Sequence, residues 1–572
     1  MNTSSPPGNS RPWLNHYEAD VPHDINAAGR VLSDLLPGSA SLFPNRSALV
    51  FPVAAAGRLF HTTLNYSQLQ EKVNAFAASL QTLGIAKGDR VALFLPNCPQ
   101  FVIAYLGAIH IGAIAVPVNP LYSAREAEDQ LKDCGARIAV TLDNFYPLIK
   151  EVQARTPLTR VIVSRIKEYF SPTLWLLYTL TKERKSPRIR LDEGDIRFQK
   201  LLTPGNPIPV KQSAEETAVL LYTGGTTGGS KGVELTHSNL MINALQNKAW
   251  AHLKEGVDIN LAAVPMFHAF GSTCCLILGI LTAATLVLVG NPTDTSGLLK
   301  TIDRFQPNIF PVVPTILASI NNHPNVEKYD LTSVKVCPCA GSPLPKSVQT
   351  TFIRKTGVHP AEGYGLTEAA PVTMGNPPFG DNRLGTIGLP YPSTLARVVD
   401  IQTGQRDMPF NGDWTEPGEI IVKGPQVMKG FWNRPLETAD QIRNGWLHTG
   451  DIGQMHRDGY FRIIDRLKDL IIRSGMKIYP AEVEGILHEH PDVLEALVIG
   501  IPDDIRGEQV KAFIVPRPES SLDEVEVKDF CARNLAKFKI PSCIEFRSSL
   551  PKSAVGKPLR RALREEEQAE SA

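Results

Sequence analysis

An excess of charge of either sign is missing from this 572-residue chain, whose 59 Lys and Arg face 58 Asp and Glu for a net charge of +1. No global positive potential exists to recruit nucleic acid or an anionic membrane, so nucleic acid is not expected as a partner and any such contact must be local. Cysteine is sparse too. The eight present, Cys98, Cys134, Cys274, Cys275, Cys337, Cys339, Cys531 and Cys543, contain no CxxC pair, which argues against both a zinc site and a disulfide framework. Reduced thiols in a cytoplasmic setting are the expectation. The opening residues MNTSSPPGNSRPW lack the charged start and apolar stretch of a secretory signal, so export is not expected.

Long apolar runs are also lacking. The longest, Cys274 to Val289, is shorter than the roughly 18 to 20 residues a spanning helix needs, and Gly279 and Thr282 interrupt it. It reads as a buried helix followed by a buried strand. A second run, Leu174 to Leu180, precedes the basic series Lys182, Arg184, Lys185, Arg188 and Arg190, an interfacial pattern. It is either a loop packed on its own domain or a peripheral contact with the inner face of the membrane.

What is present is globular. Hydrophobic residues make up 43% of the chain, about half once glycine is counted as apolar, which rules out wholesale disorder. Arg90 to Leu95, Ile138 to Thr141, Leu261 to Val264, Thr285 to Val289 and Ile309 to Val313 read as strands separated by helical lengths. That alternation predicts an α/β architecture with parallel sheets. From about Arg383, short strands such as Ala396 to Val399 and Glu419 to Val422 predict a β-rich subdomain. Beyond Asp465 the pattern becomes α+β, with a helix over Val483 to His488 and strands over Ala496 to Ile499 and Val510 to Val515. The expected division is a large domain over residues 1–465 and a small mobile one over 466–572.

The most specific segment is YTGGTTGGSKG, Tyr222 to Gly232. Four glycines between Thr223 and Ser230 let backbone N–H groups approach an anion, Thr223, Thr226 and Thr227 add hydroxyls, and Lys231 adds a charge. This is a phosphate-gripping loop. It is not a Walker A motif, because Ser230 rather than Gly precedes the lysine. Downstream, Glu362-Gly-Tyr-Gly-Leu-Thr-Glu368 flanks Tyr364 with two glycines that let a planar ring lie against backbone, and Glu368 offers a hard oxygen ligand suited to Mg²⁺. Trp446-Leu-His-Thr-Gly-Asp451 reads as a turn ending in a carboxylate suited to ribose hydroxyls. Taken singly, Glu368 could equally be a salt-bridged Glu and Asp451 the end of a tight turn.

In this order and at these intervals the segments resemble the adenylate-forming superfamily, from about Pro12 to Arg564. Gly388-Leu-Pro-Tyr-Pro-Ser-Thr and Val422-Lys-Gly-Pro-Gln-Val-Met-Lys-Gly430 make it most similar to the bacterial long-chain fatty acid–CoA ligases. The resemblance implies ATP-dependent activation of a fatty acid to acyl-AMP with release of pyrophosphate, then attack by the thiol of coenzyme A. It assigns the phosphates to Thr223, Gly224, Gly225, Thr226, Thr227, Gly228 and Lys231. Adenine would lie among Gly341, Ser342, Pro343, Glu362, Gly363, Tyr364 and Gly365. Thr367 and Glu368 would face the α-phosphate and Mg²⁺. Asp451 and Arg466 would hold the ribose beside Ile463.

Lys557, in Pro551-Lys-Ser-Ala-Val-Gly-Lys557, matches the mobile catalytic lysine, and Lys468 the hinge. Ser474 and Gly475 would border the pantetheine arm. His268, in Pro265-Met-Phe-His268, borders the acyl pocket, with direct proton transfer less favoured than a positional role. Four residues beyond it stands Ser272, where some long-chain enzymes carry an aromatic gate. Ser230 departs mildly from the family pattern. A carrier protein as acceptor, another class of acid, and a nucleotide-binding scaffold without turnover remain alternatives, and a homodimer is compatible with the sequence.

Overall fold

The computed structural model describes residues 11–27, 29–55, 58–181, 189–223, 230–474, 476–503, 506–553 and 558–571. The chain divides into two units, one of Leu14–Leu395 with Lys423–Gly445, the other of Met1–Trp13, Ala396–Val422 and Trp446–Ala572. The boundary expected at 465/466 falls inside the second.

The larger unit is built on three sheets. In the eight-stranded one, Ile196–Arg197, Arg160–Ser164, Ile138–Leu142, Arg90–Phe94, Ile114–Pro117 and Thr217–Thr223 run parallel, and Lys231–Thr236 and Gly430–Phe431 then add an antiparallel edge. Parallel strands need both faces covered, and the helix Pro99–His110 does part of this: every residue from Pro99 to Ile109 is buried. A second sheet orders Ile259–Ala262, Thr285–Leu288, Ser47–Ala55 and Arg58–Asn65, and a third Cys337–Cys339, Pro360–Gly365, Val372–Gly375 and Leu389–Pro390. The α/β expectation is met.

Local sequence explains where the main helices begin. Asn65 with Gln68, Ser123 with Glu126 and Thr236 with Asn239 each form a reciprocal capping box at the starts of Tyr66–Thr82, Ala124–Cys134 and His237–Trp250. One strand expectation fails. Ile309 to Val313 makes only single bridges, Ile309 with Asn260 and Val336, and Val312 with Cys339. Pro311, lying between them, has no N–H to give a ladder.

In the smaller unit, Leu395–Val399, Gly418–Lys423, Trp446–Met455 and Phe461–Arg466 are successive neighbours in one sheet. A terminal sheet pairs Val493–Asp503 with Gly507–Pro516, which also takes Ile471–Arg473 and Cys543–Phe546. The helices Pro480–Glu489 and Glu524–Asn534 contribute Val483, Leu487, Val527 and Cys531 to its core beside Val498, Val510 and Ile514. All eight cysteines are free thiols, seven of them buried. The apolar run after His268 is helix then strand as expected, Ser272–Ile277, Leu278–Leu281 and Thr285–Leu288. Among the described residues no helix is long and apolar enough to cross a membrane.

Candidate functional site

The phosphate-loop segment is carried by an antiparallel hairpin in which Tyr222 pairs with Gly232 and Thr223 with Lys231. Ser230 Oγ donates to the Thr223 carbonyl at 2.8 Å, fastening the two stems where the loop leaves them. Gly224, Gly225, Thr226, Thr227 and Gly228 lie outside the described residues. Lys231 Nζ pairs with the Glu437 carboxylate and lies 5.1 Å from the centre of the Phe431 ring. Neither partner is adjacent in sequence, and the sequence reading missed both.

The adenine candidates come together through one carboxylate. Glu362 Oε1 accepts the Leu344 N–H at 3.0 Å, which ties the segment holding Gly341, Ser342 and Pro343 to the strand Pro360–Gly365. Asn376 donates both its backbone N–H and Nδ2 to the Glu362 carbonyl, at 3.0 and 3.1 Å. Gly341 has φ +93°, a conformation that favours glycine. Gly365 is needed for a further reason that the sequence did not suggest: a Cβ there would stand 2.2 Å from the Pro371 carbonyl oxygen.

Thr367 and Glu368 sit, half-buried, on the short turn Thr367–Ala369. The Met428 N–H donates to the Glu368 carbonyl at 2.8 Å, Thr273 Oγ1 donates to the Ala370 carbonyl at 2.9 Å, and Asn243 Nδ2 donates to the Val372 carbonyl at 2.7 Å. Three distant segments thus fix this turn, and none of these partners was legible beforehand. The donor set fits Mg²⁺, which is held by one or two carboxylates plus substrate phosphates and not by an all-protein cage. Among the described residues no cluster of three or more His, Cys, Asp or Glu offers such a cage.

Burial pushes the Glu362 carboxyl from its ordinary 4.5 up to about 7, against the opposing effect of the Leu344 N–H. A buried acid with a raised pKa favours the fold while protonated. That contribution is complete below about 4.5 and is lost as pH rises to about 7. Glu362→Gln keeps a carbonyl for Leu344 and removes the charge, so the melting temperature of the parent should fall relative to the variant between about pH 5 and 7.5. Parallel melting curves across that range would refute this.

His268 is half-buried and caps the short helix Ala269–Gly271, its Nδ1 accepting the Phe270 N–H at 3.4 Å. The π-helical turn Ser272–Ile277 follows. Ser272, at the gate position, is fully buried and shares a 2.9 Å hydrogen bond with the Tyr105 hydroxyl. One turn on, Cys274 and Leu278 line a cavity of about 40 Å³ that also touches Trp250, Ile309, Gly363 and Tyr391. It runs from the Tyr364 segment into the apolar helix. The stacked Trp250 and Tyr391 rings, their centres 4.7 Å apart, line it.

The ribose candidates lie in the other unit. Asp451 is not at the end of a turn, as the sequence suggested, but within the strand Trp446–Met455, paired across to Arg466. The left-handed Gly450, φ +69°, and an irregularity at Ile452/Gly453 bend the strand there. Arg466 Nε lies 3.1 Å from Asp451 Oδ1, and Ile463 pairs with Gly453. Glu419 had escaped notice. Its Oε2 meets His448 Nδ1 at 2.8 Å and its Oε1 accepts the Gly450 N–H at 3.0 Å, while Thr449 Oγ1 donates to the Ile420 carbonyl at 2.6 Å. The residues leading to Asp451 are therefore pinned to the neighbouring strand.

The hinge candidate Lys468 lies in the turn Leu467–Asp469, where burial first and the Arg466 charge second push its pKa down. Beside it Asp465, raised by burial to about 6, accepts the Ala481 N–H at 2.7 Å. Asp469 binds Arg560 at 3.1 Å and Arg564 at 2.9 Å. Ser474 is left-handed, φ +51°, its N–H donating to the Arg506 carbonyl at 2.7 Å. Gly475 and Lys557 lie outside the described residues.

Residues 37–432 match the AMP-binding enzyme family and residues 482–557 the AMP-binding enzyme C-terminal domain. The chain is 41% identical over 569 residues to a long-chain-fatty-acid–CoA ligase of Bacillus subtilis, covering 97% of this chain and 98% of the other. It is 39% identical to a long-chain-fatty-acid–CoA ligase of Yersinia pestis, covering 97% and 98%. Among solved structures, ATP-bound MatB from Rhodopseudomonas palustris superposes with a TM-score of 0.81 at 26% identity, covering 94% of this chain and 100% of that one.

Proposed function

The chain belongs to the AMP-binding enzyme family, and from that premise we propose that it is an ATP-dependent ligase joining a long-chain fatty acid to coenzyme A. The observation that carries this reading is the 41% identity to a long-chain-fatty-acid–CoA ligase across 97% of the chain. The acid's carboxylate attacks the α-phosphorus of ATP, the bond to the β-phosphate breaks, and pyrophosphate leaves. The thiolate of coenzyme A then displaces AMP from the mixed anhydride. Both steps bring anions together, so catalysis rests on preorganised cations and N–H donors.

In this scheme Lys231 and residues 223–228 take the triphosphate, and Gly341–Pro343 with Glu362–Gly365 take adenine. Asp451 and Arg466 hold the ribose. Thr367 and Glu368 orient the α-phosphate, Glu368 also being the residue that would hold Mg²⁺, which when bound neutralises phosphate charge. Lys557 supplies a cation for the first step. Residues 466–572 act as a mobile domain turning at Lys468, and Ser474 and Gly475 border the thiol's path once it has turned. His268 positions the turn beside the acyl cavity. The helix Pro172–Thr181, which leaves Trp175, Leu176 and Leu180 exposed, is the place for peripheral lipid contact; Lys182, Arg184, Lys185 and Arg188 beyond it lie outside the described residues.

The test is pyrophosphate release with ATP and Mg²⁺ across saturated fatty acids of graded length and one aromatic acid, each with and without coenzyme A. Turnover that requires coenzyme A and peaks on long chains is the expected result. Adenylation that coenzyme A fails to discharge would point to a carrier protein, and a peak on the aromatic acid would overturn the substrate class.

A further inference from the structure

Lys231 is already engaged. Its ammonium pairs with Glu437, and Glu437 is itself held from the far side by Arg434 Nη1 at 3.2 Å. Arg434 Nη2 reaches Asp133 Oδ1 at 3.2 Å, and the other oxygen of Asp133 accepts the Tyr222 hydroxyl at 2.7 Å. The series Tyr222, Asp133, Arg434, Glu437, Lys231 therefore begins on one stem of the phosphate-loop hairpin and ends on the other.

Main-chain geometry holds this circuit in place. Gly430–Phe431 pairs with the Lys231–Thr236 strand, and the Trp432 N–H donates to the Gly232 carbonyl at 2.7 Å, which carries the helix Pro435–Gln441 up to Lys231. Gly232 is the close-packing point, since a Cβ there would meet the Tyr222 ring at 3.0 Å and Trp432 Cβ at 3.2 Å. The pairing with Lys231 is also the leading cause that holds the Glu437 carboxyl below its ordinary range.

We propose that Glu437 is a positioning residue that parks Lys231, and that the β- and γ-phosphates of an incoming nucleoside triphosphate displace it. The proposal rests on the reading of Lys231 as a triphosphate ligand. One ammonium cannot serve a carboxylate and a triphosphate equally well, and the more highly charged anion takes it. An open cavity of about 390 Å³, lined by Asp133, Trp432, Arg434 and Glu437, gives the released carboxylate water to turn into.

The consequence separates ATP from AMP, which carries no β- or γ-phosphate. Glu437→Gln should tighten ATP binding about two- to fivefold, the range of an exposed ion pair, and leave AMP binding unchanged. Titration of the full-length protein with a non-hydrolysable ATP analogue and with AMP reads both. In a Lys231→Ala background the Glu437→Gln effect should vanish, a double-mutant-cycle signature that a merely structural role does not produce. Glu437→Ala, which removes the competing carboxylate outright, should behave like Glu437→Gln and serves if that variant folds poorly. Unchanged or weaker ATP binding in Glu437→Gln, or equal shifts for ATP and AMP, would overturn the proposal while Lys231→Ala still weakens ATP. If Lys231→Ala leaves ATP binding intact, the triphosphate reading of Lys231 fails and the parking role with it.

Discussion

Replacing Lys557 with alanine is expected to abolish fatty-acid-dependent pyrophosphate release while sparing thioester formation from supplied acyl-AMP. The first half-reaction drives a carboxylate onto an already anionic phosphorus, and loss of one preorganised donor at such a transition state costs about 10²- to 10³-fold in rate. The second half-reaction starts from a neutral acyl carbon and expels AMP, so its rate should stay within about threefold of the parent, read as separate half-reaction free energies. Described residues on either side of residues 554–557 are tied to one another and to the rest of the domain. Lys552 bridges to Pro558, the Leu559 N–H donates to the Pro551 carbonyl at 2.9 Å, and Arg560 binds Glu484 at 2.6 Å.

Lys552→Ala is the matched control, because Lys552 is committed to a 2.5 Å pair with Glu495. It should leave both half-reactions nearly unchanged. Equal loss of both half-reactions in a folded Lys557→Ala protein would remove the lysine from its assigned step.

Asp451→Ala should weaken ATP and AMP binding together, each by about 10²- to 10⁴-fold. Two ribose hydroxyls donating to one carboxylate make two charge-assisted hydrogen bonds, worth about 1.5 to 3 kcal/mol apiece before the loss of Arg466's partner is counted. The carboxylate is buried and its approach is fixed by Glu419, so little reorganisation precedes binding. Glu419→Gln keeps an acceptor for Gly450 and loses the charge facing His448, so it should weaken both nucleotides by only a few-fold. Calorimetric titration of each variant with both nucleotides settles the matter. A loss confined to ATP would place Asp451 at the phosphates instead of the ribose, the opposite signature from the one expected at Glu437.

The chemistry proposed for the site rests on residue type and near-neighbour spacing, which need no coordinates. Glycines beside hydroxyls and a lysine suit an anion-binding turn by their backbone freedom and donors, and Glu368 suits a hard cation by its oxygen, while the partners of both are set by tertiary contacts. The same locality misled at Asp451, whose Thr-Gly context suggests a turn but whose N–H and cross-strand partners put it inside a bent strand. It misled again at Ile309 to Val313, where β-branched residues outvoted one proline. At Gly365 a further requirement was not legible, since the atom that a side chain would meet is the Pro371 carbonyl oxygen, brought back by the turn that follows Leu366.

By itself the sequence determined the α/β alternation, the helix-then-strand character of the apolar run after His268, and which residue types are proposed to meet a nucleotide. Those follow from periodicity, backbone permissiveness and the chemistry of single side chains, all of which are local. Only the tertiary structure decided which carboxylate meets which cation: Glu437 with Lys231, Glu419 with His448 and Gly450, Asp469 with Arg560 and Arg564. It also decided that Glu362 is buried deeply enough for its carboxyl to be pushed up to about 7 and that Cys274 and Leu278 share a small cavity with Gly363 and Tyr391. Charge pairing, desolvation and cavity volume are set by distances of a few ångströms between segments far apart in the chain, and packing alone fixes those distances.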